Sequence, residues 1–162
     1  MTNRQTSSSI TILLLLAIGF ASCGDNFIFK SEKKIPNGQW AYADTLEFKV
    51  PVSDTAQLYN LYIQFTHADT FPTQNIYLKL HTRFPDGKRV SRIRSFDFYD
   101  IEGKPTGKCS GSSCRTKILL QDKLYFNQLG EYGITLEQYT RNSPLNGVTE
   151  VGIVMEKAAK KR

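Results

Sequence analysis

From residue 46 onward, apolar and polar side chains alternate with a period of two along much of this chain, the spacing of strands with one buried face. Leu46, Phe48, Val50 and Val52 interleave with Glu47, Lys49 and Pro51, and Tyr59, Leu61, Ile63 and Phe65 with Asn60, Tyr62, Gln64 and Thr66. Ile76, Leu78, Leu80 and Phe84 face one way, and Lys79, His81 and Arg83 the other. The pattern returns at Tyr132, Ile134 and Leu136 and again at Val151, Ile153 and Met155. Phe84-Pro85-Asp86-Gly87 carries Pro and Gly where a type I turn takes them and predicts a hairpin joining a strand at 75–84 to one at 88–98. Asn37-Gly38, Leu129-Gly130 and Asn146-Gly147 mark further breaks. Seven or eight strands at this spacing predict an all-β fold, a single antiparallel β-sandwich over residues 35–157, with a closed barrel as the rival arrangement.

The first residues read differently. Ile10 to Phe20 is an apolar run broken only by Thr11, preceded by Arg4 and followed by Ala21, Ser22 and Cys23. As a helix that run reaches about 16 Å, roughly half the hydrocarbon thickness of a bilayer. A positive head, a short apolar run and a small-residue cut site describe an export signal. The cysteine at the cut site makes Phe20-Ala21-Ser22-Cys23 resemble the lipobox of bacterial lipoproteins, with Phe20 where Leu is usual. Residues 1–22 are therefore expected to be a lipoprotein signal peptide, Cys23 the acylated first residue, 23–34 a lipidated tether and 158–162 a basic tail. Two or more acyl chains hold a protein on a membrane stably, where one holds it marginally.

Export bears on the other cysteines and on charge. Cys109 and Cys114 lie in a loop of small and polar residues and are expected to form a disulfide in an oxidising compartment. A zinc site would need further ligands, and the chain has only His67 and His81 to offer, so no metal and no cofactor are expected. The net charge of +6 suits an anionic surface or partner, and for an exported chain no nucleic-acid partner is expected. Lys79, Arg83, Lys88, Arg89, Arg92 and Arg94 fall on the two strands of the expected hairpin. Cross-strand neighbours would gather several of them into a contact patch, unless they serve only to charge a solvated face or an edge. Tyr62 and Tyr77 sit at polar-side positions where an exposed ring would stack on a sugar or a protein, while Trp40 is expected to plug one end of the sandwich.

Chemistry is sparse. No Gly-x-Ser-x-Gly, His-Glu-x-x-His or phosphate-binding glycine loop occurs. His81 stands between Lys79 and Arg83, which disfavour its protonation, and no carboxylate partner is evident along its strand. Asp100-Ile101-Glu102-Gly103 has a faint look of a calcium loop but lacks the further spaced acids and runs into Lys104. The chain is expected not to be an enzyme.

An ordered series of short segments is similar to the GldH family of gliding motility lipoproteins. It comprises the lipobox at Cys23, Ile35-Pro36-Asn37-Gly38 with Trp40, Tyr59-Asn60-Leu61-Tyr62-Ile63, Phe71-Pro72 before Asn75-Ile76-Tyr77-Leu78, and Phe84-Pro85-Asp86-Gly87. It continues through Gly130-Glu131-Tyr132 and Leu136-Glu137-Gln138 to Gly147-Val148-Thr149-Glu150-Val151-Gly152. Cys109 and Cys114, and Thr66-His67 in place of an Arg-Asn pair, depart from the family pattern. The resemblance implies a non-catalytic accessory lipoprotein of gliding motility linked to type IX secretion, with other envelope lipoproteins as partners. No acidic run follows Cys23, so outer-membrane anchoring facing the periplasm is expected. The alternative is a carbohydrate- or peptidoglycan-binding module.

Overall fold

The computed structural model describes residues 27–159. The signal at 1–22, Cys23 and the tail residues 160–162 lie outside the described residues. The strands are β1 (Phe27–Lys34), β2 (Gln39–Trp40), β3 (Leu46–Val52), β4 (Tyr59–Ala68), β5 (Asn75–Arg83) and β6 (Arg89–Asp97). They continue as β7 (Lys108–Ser110), β8 (Ser113–Leu124), β9 (Gly130–Gln138), β10 (Leu145–Asn146) and β11 (Val148–Lys157). One sheet runs in the order β1-β11-β4-β8-β7 and the other in the order β3-β9-β5-β6, while β10 and β2 form a small separate pair. All pairings are antiparallel. The two large sheets keep distinct edges, so the fold is a sandwich and not a barrel.

The inner faces are the ones the alternation marked. Phe48, Val50, Ile63, Phe65, Ile76, Leu78, Leu136 and Ile153 are all buried between the sheets. Among the described residues, every buried residue of the core cluster lies between Ile35 and Met155, and Phe29 of β1 packs against it. Trp40 has no exposed surface, and its indole N–H donates to the Asp44 carbonyl at 2.6 Å. The expected plug is thus a buried ring whose polar atom is satisfied.

Two stretches differ from expectation. The segment assigned to the tether contains β1, an edge strand whose residues 27–34 pair with β11 along its length. Its sequence, Phe-Ile-Phe-Lys-Ser-Glu-Lys-Lys, hides the strand because an edge exposes both faces and tolerates charge on either. Gly152 lets β1 come close: a Cβ there would stand 2.7 Å from Glu32 Cγ and 3.0 Å from the Ser31 carbonyl oxygen. The second stretch is β8. Its run Ile118-Leu119-Leu120 masks the period of two because Leu119 is an exposed apolar residue at an outward position, while Ile118 and Leu120 pack inward against the core; the register with β4 then shifts at Leu61.

Candidate functional site: an apolar cleft at the sandwich edge

The sheets do not close along the edge where β6 stands over β8. A cleft of about 220 Å³ opens there, walled by Leu80, Phe84 and Val90 on one side and by Leu120, Leu124 and Phe126 on the other. Its deep end is firm. Tyr132 packs edge-on against Phe84 and Phe126 at 5.6 and 4.7 Å between ring centres, and Phe126 packs against Tyr59 at 5.5 Å. The Tyr132 hydroxyl donates to the Gln128 carbonyl at 3.2 Å, which fixes the loop carrying Phe126.

Register places two cations at this cleft. Arg92 pairs with Leu80 and Arg94 with Leu78, and directly opposed residues share a face. Leu78 and Leu80 are buried, so both arginines project on the inner side of the sheet, where they line the cleft. No aspartate or glutamate lines it, and neither guanidinium makes an ion pair among the described residues. An apolar channel bordered by unneutralised cations and free of acids favours a ligand with an apolar body and an anionic end.

The same register divides the basic cluster. Lys79 opposes Ile93 and Arg83 opposes Arg89, on the outer face, away from Arg92 and Arg94. There the charges are mixed: Arg83 Nη2 lies 3.7 Å and Lys49 Nζ 4.0 Å from Glu131 Oε1. His81 also faces outward, and here the structure corrects the sequence reading, because β9 supplies a carboxylate. Glu137 Oε1 is 3.0 Å from His81 Nε2, although outside hydrogen-bond geometry, and Ser91 Oγ is 2.7 Å from Nδ1. The trio resembles a hydrolytic set in composition alone. It lies on an open sheet face, and the carboxylate does not take the aligned position that would orient the imidazole.

The tyrosines are likewise separated. Tyr62 is on the outer face of the β4 sheet, where the Lys117 ammonium sits 4.1 Å from its ring centre. Tyr77 is on the outer face of the other sheet, about half exposed, and borders a shallow depression with Tyr139 and Arg141 that sequence reasoning missed. Gln138 organises that depression. Its buried amide donates to the Asn142 carbonyl at 2.9 Å and accepts from the Thr140 N–H at 2.6 Å, holding the loop that carries Tyr139 and Arg141.

His67 is a core residue. Nδ1–H donates to the Ala68 carbonyl at 2.8 Å and Nε2 accepts from the Thr116 hydroxyl at 3.0 Å, while Phe98 packs edge-on at 4.8 Å. Burial pushes its pKa below the ordinary histidine value, against the opposing pull of the Ala68 carbonyl. Cys109 and Cys114 face each other across the β7–β8 ladder and are joined by a disulfide. Asp100 spends its carboxylate on its own loop, accepting from the Glu102 and Lys104 N–H groups at 2.9 and 2.8 Å.

Fold and cleft together define a small two-sheet β-sandwich whose distinctive site is a cation-bordered apolar channel. The profile of the GldH lipoprotein family matches residues 27–155, and the chain belongs to that family. A protein of Christiangramia forsetii, the "gliding motility lipoprotein GldH homolog", is 23% identical over 95% of this chain and 98% of its own length. The "gliding motility lipoprotein GldH" of Flavobacterium johnsoniae is 26% identical over 90% of this chain and 94% of its own. Among solved structures, a carbohydrate-binding module specific for non-crystalline cellulose aligns at 13% identity and a TM-score of 0.43, covering 80% of this chain and 73% of that one. The TNF protein Eiger of S. frugiperda aligns at 12% identity and a TM-score of 0.31, covering 85% and 96%.

Proposed function

We propose that this chain is an acylated envelope lipoprotein, a non-catalytic accessory component of gliding motility linked to type IX secretion. One observation carries the reading: the family match runs from the first residue of β1 to within two residues of the end of β11. The relatives over that span, aligned nearly end to end, are named gliding motility lipoproteins. Residues 1–22 would be the signal and Cys23 the acylation site, anchoring the domain at the outer membrane with the sandwich in the periplasm. Its partners would be other gliding or secretion lipoproteins. Deletion of the gene tests this, with colony spreading and export of type IX substrates as readouts. Loss of either supports the reading, and normal spreading with normal export overturns it.

A second reading follows from Tyr77 and Tyr139 standing together over a depression that also holds Arg141. Exposed rings beside a hydrogen-bond donor suit a sugar face, so the domain would bind envelope carbohydrate or peptidoglycan. Muropeptide binding lost in Tyr77→Ala and Tyr139→Ala would favour it.

A further inference from the structure

We infer that the cleft between β6 and β8 holds the acyl chain of an anionic lipid, with the headgroup on Arg92 and Arg94. The site's chemistry carries the assignment. Its lining is mainly aliphatic and aromatic with the uncharged Thr82, Gln121 and Asn127, and among the described residues no carboxylate lines it and its two cations are unneutralised. A cavity of about 150 Å³ lined by apolar side chains already takes up benzene, so a space of about 220 Å³ admits a longer hydrocarbon segment. Each methylene buried in the cleft adds favourable transfer from water, and guanidinium groups meet phosphate or carboxylate oxygens in pairs. Both cations occupy inward positions where the neighbouring strand carries Leu78 and Leu80, and neither makes an ion pair among the described residues.

Orientation agrees. Leu124 pairs with Tyr59, Tyr59 with Lys157, and the adjacent Glu156 with Phe27, so the cleft's lower wall and the start of β1 belong to the same end of the sandwich. Phe27 follows Cys23 by four residues, a reach of about 14 Å when extended. If Cys23 is acylated as proposed, that end rests on the membrane, and the exposed Tyr125 and Leu129 lie on it. Arg92 stands about 10 Å further along β6 than Arg89. A lipid in the cleft therefore keeps its headgroup up and its tail toward the bilayer, the polarity it has in the leaflet. Only this orientation rests on the proposed anchor. The binding chemistry does not, and its test omits the anchor.

Residues 24–162, which contain every described core residue, would be titrated with dansyl-labelled undecanoate and, separately, with its uncharged methyl ester. Saturable binding of the carboxylate is expected, about tenfold or more tighter than the ester, a difference of about 1.4 kcal/mol. Arg92→Ala with Arg94→Ala should bring the carboxylate to the level of the ester. Leu120→Trp should abolish both with the unfolding midpoint unchanged; should that variant not fold, Val90→Trp at the exposed rim replaces it. No saturable binding, equal affinity for acid and ester, or binding that survives the filled cleft overturns the inference. The acylated full-length protein extracted from membranes separates the two sources of acyl chain. Binding by residues 24–162 but not by that protein would mean that the anchor's own chain occupies the cleft, which also overturns it.

Discussion

Arg92 lies directly across the β5–β6 ladder from Leu80, so a guanidinium and a nearly buried leucine project from the same face of one sheet. Alternation along β6 cannot reveal this, because an arginine at an inward position reads as polar and implies an outward one. The consequence is testable as a stability–function conflict. Arg92→Leu with Arg94→Leu removes two cations that make no ion pair among the described residues and extends the apolar wall. Chemical denaturation should find the double variant unchanged or up to about 1 kcal/mol more stable. A marked loss of stability would show that the arginines serve the fold.

His67 gives a pH-dependent expectation. Its pKa is lowered in the folded protein, so the unfolded chain takes up the proton first as pH falls. The contribution is complete above about pH 6.5 and is lost as pH drops from there through the folded value. Thermal midpoints should decline over that window, and His67→Phe should flatten the decline. His67→Ala should cost about 3 kcal/mol, since it opens a cavity against Phe98 and leaves the Thr116 hydroxyl without its partner.

Gly152 is the contact point for the first strand. Gly152→Val sets a Cβ against Glu32 and the Ser31 carbonyl and adds further bulk there, an overpacking cost of about 1–3 kcal/mol. Limited proteolysis should then cut within 27–34 before the rest of the domain, and protection of that segment equal to wild type would contradict the close approach.

Reduction of the Cys109–Cys114 link releases a short loop constraint worth about 2 kcal/mol on the chain-entropy account. Cys109→Ser with Cys114→Ser should lower the denaturation midpoint accordingly. The wild type should match the variant once a reductant is added.

Legibility in the sequence followed burial. Strands with one buried face, such as β3, β4 and β5, announce themselves because water and core impose opposite demands on successive residues. No residue of β1 is fully buried and the first part of β6 is exposed, so little alternation is imposed on β1 and the one on β6 misleads. β8 was hidden because the exposed Leu119 fills an outward position between the inward Ile118 and Leu120. The candidate site was half visible: Arg92 and Arg94 stood out as charge, but their face depends on pairing with Leu80 and Leu78, and that register is a property of two strands. His81 and Glu137 are far apart in sequence and meet only because β9 lies beside β5.

β1 begins four residues after Cys23 and runs antiparallel to β11 over its whole length. With an acyl anchor at Cys23, a pull directed along β1 would load that edge strand lengthwise. The ladder bonds lie across this direction, so they are loaded in shear and resist together. They do not peel one after another. If Cys23 is acylated as proposed, a domain held in this way would carry load through its first strand without coming apart there.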